Sequence, residues 1–240
     1  MNLPEPSRRE FLRNAALAAT LVAVPTALPG ATTDEKNSLS PPANLLAPGY
    51  LTFGPSEAAF VEAMVNLMCP ADELTPCGVD CGLAVFMDRQ LAGAFGRGER
   101  LYLRGPWRQG RPEDGYQLPL TPEQFFKTGL KAADHACHQQ HGQHFADIAA
   151  PLADVFLLAI AEGKILDARL SLADWFNDLV YPLFTQACFA DPIYGGNQDK
   201  VFWKLLGYPG LPAVNGLNMV KYRGKPFPGA KNPQSIQDFS

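Results

Sequence analysis

The sequence is poor in the features that announce a function. Charged residues make up only 18%, and 20 basic residues stand against 24 acidic ones for a net charge of -4. That balance leaves no broad basic surface and argues against nucleic acid as a partner. The apolar stretch from Ala15 to Ala27 is shorter than the roughly 20 residues a transmembrane helix needs, and Pro25 and Pro29 break it. No Cys-x-x-Cys-His occurs, so a c-type haem has no attachment point. The dinucleotide fingerprint is incomplete. Gly96-Arg97-Gly98-Glu99-Arg100-Leu101 has two of its glycines, lacks the third and follows a helical pattern instead of a strand. Gly-x-Ser-x-Gly, the P-loop and His-Glu-x-x-His are missing too. No strand-like alternation and no internal repeat is visible.

What is present begins at the N-terminus. Ser7-Arg8-Arg9-Glu10-Phe11-Leu12 precedes the short apolar body. A basic head before such a body describes a secretory signal. Adjacent Arg8 and Arg9 before Phe11 and Leu12 specify the twin-arginine subtype, whose substrates cross the membrane folded. The signal is expected to span 1–31, with cleavage near Ala31 or retention as an anchor, and a polar, proline-bearing linker or arm to span 32–52.

Apolar residues make up 47% of the chain, enough for a sizeable core, while 22 prolines and 21 glycines predict long irregular connections. Helical spacing runs through Phe60, Val61, Met64, Val65, Leu67 and Met68 until Pro70. A second helix carries Leu83, Phe86, Met87, Leu91 and Phe95, ended by Gly96 and Gly98. Thr121-Pro122-Glu123-Gln124 is a strong start, with a cap, a proline at the first helical position and a capping box. That helix should reach about Gly142. Phe145, Ile148, Leu152, Val155, Phe156 and Ile160 mark one more, and Leu172 to Leu183 another, started by Ser171 and Asp174. A short helix follows Asn197 and stops at Gly207. The last 33 residues hold five prolines and four glycines. The expected fold is all-α: an irregular helical domain over 53–207, turn-rich connections, and an extended C-terminal tail over 208–240.

Two clusters invite a chemical reading. The four histidines are His135, His138, His141 and His144. On a helix each three-residue step falls about 60° short of a full turn, so the first and last lie on opposite sides, and a polar face is the better reading than a metal site. Cys77-Gly78-Val79-Asp80-Cys81 offers a local disulfide or half of a metal clamp; no second close pair of ligands stands nearby, so a disulfide in or across the loop is favoured over free thiols, with Cys77 and Cys81 as candidates and the connectivity open. With five cysteines one is left over, and Cys188 is either buried, paired within the chain or bonded to another chain.

The densest local signal is Cys188-Phe189-Ala190-Asp191-Pro192-Ile193-Tyr194-Gly195-Gly196-Asn197, followed by Trp203 to Gly210. Asp191-Pro192 favours a turn, Gly195-Gly196 permits positive φ, and Asn197 can cap the next helix. The loop holds no nucleophile with a base. It suits an interface, with Cys188, Asp191, Pro192, Tyr194, Gly195, Gly196, Asn197 and Trp203 as its candidate residues.

Together with the twin-arginine signal, this block resembles the gluconate 2-dehydrogenase subunit 3 family. The likeness extends to Pro70-Ala71-Asp72-Glu73, the run from Phe86 to Gly93, Gly105-Pro106, Gln117 and Thr121-Pro122. It covers roughly residues 50–210; Cys77 and Cys81 depart from the family's loop. The resemblance implies a non-catalytic small subunit in the periplasm, held at the membrane through its complex. It implies a large FAD-containing subunit of the glucose-methanol-choline type, a multihaem cytochrome c and the twin-arginine translocon as partners. FAD and haem c would then belong to those partners, and this chain would bind no cofactor itself. The alternatives are a stand-alone periplasmic binding protein, or a metal-dependent enzyme using the His135–His144 group.

Overall fold

The structure, a computed structural model, describes residues 49–239 apart from 109, 112 and 113. Arg8, Arg9, Phe11 and Leu12, the whole of 1–31 and most of the 32–52 arm lie outside the described residues. The described part is all-α, with no strand among the described residues and one isolated bridge, Gly210 to Gln234. None of the described helices is long and apolar enough to cross a membrane.

The helices are α1 (Pro55–Met68), α2 (Leu83–Ala92), α3 (Pro122–His141), α4 (Ala150–Ala161), α5 (Leu172–Asp174), α6 (Tyr181–Phe189), α7 (Val201–Leu206) and α8 (Gly216–Lys221). The entry to α1 is fixed by a buried carboxylate. Asp88 on α2 accepts the backbone N–H groups of Leu51, Thr52 and Phe53 at 2.6, 2.9 and 3.0 Å. Three backbone donors aimed at one carboxylate satisfy its oxygens inside the protein, where an unpaired polar group would be costly. Next to it, Lys127 donates to the Thr52 carbonyl at 2.7 Å and pairs with Glu123 at 3.1 Å.

Helix α3 starts as its sequence predicts. Thr121 Oγ1 accepts from Gln124 N, and the Gln124 side chain accepts from Thr121 N. Its middle contains Gly129, a residue that costs a helix about 1 kcal/mol relative to alanine. The reason is Trp175: a Cβ on Gly129 would stand 2.2 Å from Trp175 Cδ1. Trp175 is fully buried, and its indole N–H donates to the Phe126 carbonyl at 3.0 Å. Phe53 stacks on Phe126, and Phe60 meets Phe145 with centroids 4.5 Å apart. The core therefore lies where α1, α2, α3 and the Trp175 segment converge.

Several boundaries differ from the periodic pattern. Helix α2 ends at Ala92, because Gly93 leaves helical geometry, and Phe95 lies beyond it, exposed. The run from Phe145 to Ile160 is not one helix. A 3-10 turn, Phe145–Asp147, is separated from α4, and Leu152 and Val155, expected on the core face, are exposed. Between α5 and α6 the chain makes a π turn, Trp175–Val180, in which Tyr181 N reaches back to the Phe176 carbonyl. Pro182 explains it: with no N–H, it cannot make the bond to residue 178 that a regular helix requires. The C-terminal segment is not simply extended. Leu211 N donates to Gln234 O and Gln234 N to Pro209 O, at 3.1 Å each, so the chain leaves and returns at one stem.

Candidate partner interface

The loop after α6 is built from inside. Asp191 Oδ1 accepts from Ile193 N at 3.1 Å and caps the 3-10 turn Pro192–Tyr194. Its other oxygen accepts from Ile236 N at 2.8 Å, which ties the returning C-terminal segment to the loop. Gly195 has φ of 103°, in the left-handed region that favours glycine. Gly196 is needed for a different reason: a Cβ there would stand 2.4 Å from the Ala187 carbonyl oxygen. Asn197, fully buried with φ of 48°, donates to the Ala190 carbonyl and accepts from Phe202 N, both at 3.0 Å. It thus closes the loop and satisfies a backbone N–H in the first turn of α7 with one amide. Trp203 completes the arrangement by donating from its indole to the Phe189 carbonyl at 2.9 Å.

The expected interface residues therefore divide into two sets. Cys188, Pro192, Gly195, Gly196, Asn197 and Trp203 are buried within the chain. Inside the chain they shape the loop and present little surface of their own. Asp191 is half-buried and committed to backbone donors. Tyr194 is exposed, and its neighbours Phe189 and Ile193 are exposed with it, at 50%, 46% and 39%. Phe189 and Ile193 lie in the same block but outside the expected set of contact residues. The one signal available for them was apolar character next to the turn.

Phe189 and Tyr194 form part of the wall of an open groove of about 430 Å³, together with Phe86, Gln90, Gln186, Ala190 and Asp191. Its wall is aromatic, with two amides and one carboxylate at hand. Such a groove receives an apolar or aromatic side chain and offers hydrogen bonds around it, the pattern of an interface anchor. It contains no nucleophile paired with a base.

The cysteines correct another expectation. All five are free thiols, and the Cys77–Cys81 disulfide is not formed. Cys81 N closes a turn onto Cys77 O at 3.0 Å, while the Cys81 thiol points inward to the Pro76 carbonyl at 3.5 Å. Cys69 points at the same oxygen from 3.7 Å. Burial pushes the Cys81 thiol up to about 11 and the Cys188 thiol up to about 12. Cys188 is 5% exposed, so a bond to another chain would require the loop to open.

The histidines are all exposed. His144 Nδ1 lies 2.7 Å from Asp134 Oδ2, and Asp134 Oδ1 accepts Phe145 N, so this pair fixes the turn after α3. His141 packs edge-on to Phe156. Among the described residues no group of three or more histidines, cysteines or carboxylates is arranged to hold a metal ion. Asp72, another carboxylate of note, accepts Leu74 N and Thr75 N; the Thr75 backbone bond is the main cause holding it below the usual range.

A family model described as gluconate 2-dehydrogenase subunit 3 matches residues 55–210. Comparison with curated proteins and with solved structures finds no match.

Proposed function

The chain belongs to the gluconate 2-dehydrogenase subunit 3 family, and from that premise we propose that it is the non-catalytic small subunit of a periplasmic, FAD-dependent sugar or sugar-acid dehydrogenase complex. The observation that carries this reading is the exposed aromatic rim formed by Phe189 and Tyr194. It lies in the block that the matched region ends on, and a partner's side chain would fill the groove behind it. The partner is a large FAD-bearing subunit of the glucose-methanol-choline type, which oxidises the alcohol group. A multihaem cytochrome c then carries the electrons onward. This chain binds no flavin or haem of its own.

Its second role is escort. The Arg8-Arg9 signal sends a folded protein through the twin-arginine translocon, and a folded small subunit docked on the flavoprotein carries its partner along. The buried side chains of the loop serve this role by holding the rim in shape before the partner arrives, which lowers the ordering cost of association. The test is purification of the tagged full chain from its own cells under native conditions. Co-elution of flavin absorbance and c-type haem bands supports the assignment. A colourless monomer, or metal-dependent activity in the isolated chain, refutes it.

A further inference from the structure

The charges of this chain are unevenly distributed. Between Asp199 and Asp238 lie six of its 20 basic residues and none of its 24 acidic ones: Lys200, Lys204, Lys221, Arg223, Lys225 and Lys231. Lys200 is paired with Asp238, but Lys221, Arg223, Lys225 and Lys231 make no ion pair with a described residue. These four occupy the loop that leaves at Leu211 and returns at Gln234. Its stem is secured to the body through Asp191, which accepts Ile236 N.

The tip of the loop is apolar as well as cationic. Helix α8 exposes Leu217, Met219 and Val220 at 87%, 65% and 79%. Immediately after it, Lys225 N bonds back to the Tyr222 carbonyl at 2.8 Å, and the Tyr222 and Phe227 rings meet at 5.1 Å. Lys221 Nζ sits 5.2 Å from the Tyr222 ring centroid. This turn sets Lys221 against one ring of an aromatic pair, with Arg223 and Lys225 beside it in the chain and three exposed aliphatic side chains just before it.

We propose that this loop is a surface for an anionic lipid bilayer, with Leu217, Met219 and Val220 entering the interfacial layer and Lys221, Arg223 and Lys225 meeting the headgroup phosphates. Aliphatic tips beside cations suit shallow insertion, where apolar burial and attraction to anionic lipid add together. A planar, fluid surface accepts projecting side chains without a matching pocket, whereas an acidic protein would have to supply one for each of them. The segment 200–237 holds six basic residues and no acidic one, so a negative bilayer attracts this loop. The contact involves residues of this chain alone and does not depend on the dehydrogenase reading.

The test is co-sedimentation of the full chain with vesicles of phosphatidylcholine alone and with phosphatidylglycerol included. The comparison is with two full-length variants, Lys221→Glu/Arg223→Glu/Lys225→Glu and Leu217→Ser/Met219→Ser/Val220→Ser. The N-terminal apolar segment is common to all three proteins and cancels. Wild type should prefer the anionic vesicles, with the preference shrinking at high salt. The charge variant should bind them roughly a hundredfold more weakly, and the serine variant should also bind more weakly, with unchanged thermal melting for both. A charge variant that binds as wild type does overturns the proposal. So does a wild type indifferent to phosphatidylglycerol, which would leave an acidic protein as the partner of this loop.

Discussion

The indole N–H of Trp203 donates to the carbonyl oxygen of Phe189 at 2.9 Å, and so joins α7 to the end of α6 across the whole intervening loop. Asn197 makes two further closures inside the same loop, to Ala190 and Phe202. The side chains that define the exposed rim are thus held by side chains that never reach solvent. Trp203→Phe keeps most of the packing and removes the donor, so it should cost about 1 kcal/mol. Asn197→Ala strands both a backbone carbonyl and a backbone N–H, and should cost about 2–4 kcal/mol. Urea denaturation of each variant checks the order; equal stability of the two would contradict this account of the loop.

Gly196 tests close approach separately from backbone conformation. Its added Cβ would press on the Ala187 carbonyl, which belongs to α6 and has nowhere to go. Gly196→Ala should lose about 1–3 kcal/mol, the usual range for forced overpacking. Gly216→Ala is the control, because a Cβ there meets nothing within 4 Å. Its urea midpoint should match or slightly exceed that of wild type.

What was legible in the sequence was local. Thr121, Pro122 and Gln124 announce the start of α3 because every contact of a capping box lies within four residues. Gly207 ends α7 with positive φ for the same reason. The twin spacing of Phe145 and Leu152 misled because a 3-10 turn and a helix in succession can carry a helical pattern between them. Pro182 distorts α5–α6 without ending it, since the tertiary packing of Trp175 keeps the segment helical around the π turn. The turn-forming residues from Asp191 to Asn197 were legible as a loop, but which of them lie buried was not. Whether Asn197 faces inward depends on Ala190 and Phe202 closing over it, and Trp203 finds its acceptor 14 residues away. The cation-rich C-terminal segment was visible as a run without acids, but a near-neutral total charge hid it.

The thiols give a labelling and a pH prediction. Cys69, Cys81, Cys137 and Cys188 are buried and Cys77 is half-buried. In reduced native protein a thiol reagent should react rapidly at Cys77 alone, with the other four released by denaturant; rapid native labelling of Cys188 would contradict its burial. Desolvation raises Cys81 and Cys137 to about 11 and Cys188 to about 12 in the folded protein. The unfolded chain sheds these protons near a pKa of about 8.5. The stability these neutral thiols support is therefore fully present below that pH and lost as pH rises toward the folded values. Denaturant midpoints should fall between mildly and strongly alkaline pH, and Cys188→Ala should flatten the fall.

Export supplies an independent check on the escort role. Arg8→Lys with Arg9→Lys should leave both this chain and its flavoprotein partner in the cytoplasm, as read by immunoblotting of cell fractions. A flavoprotein that reaches the periplasm with the arginine pair replaced would remove the escort and leave only a structural subunit.

The central claim is that a flavin-bearing partner docks on the groove behind Phe189 and Tyr194. The most direct measurement is flavin-to-protein stoichiometry after native purification of the tagged full chain and of two variants, Phe189→Asp/Tyr194→Asp and His141→Ala. The exposed positions of the first pair make a folding defect easy to exclude by thermal melting. The account predicts flavin in equal molar amount with wild type and with His141→Ala, and at least a tenfold loss with the paired aspartates, a difference of about 1.4 kcal/mol or more in binding. Full retention of flavin by a folded Phe189→Asp/Tyr194→Asp chain would contradict it.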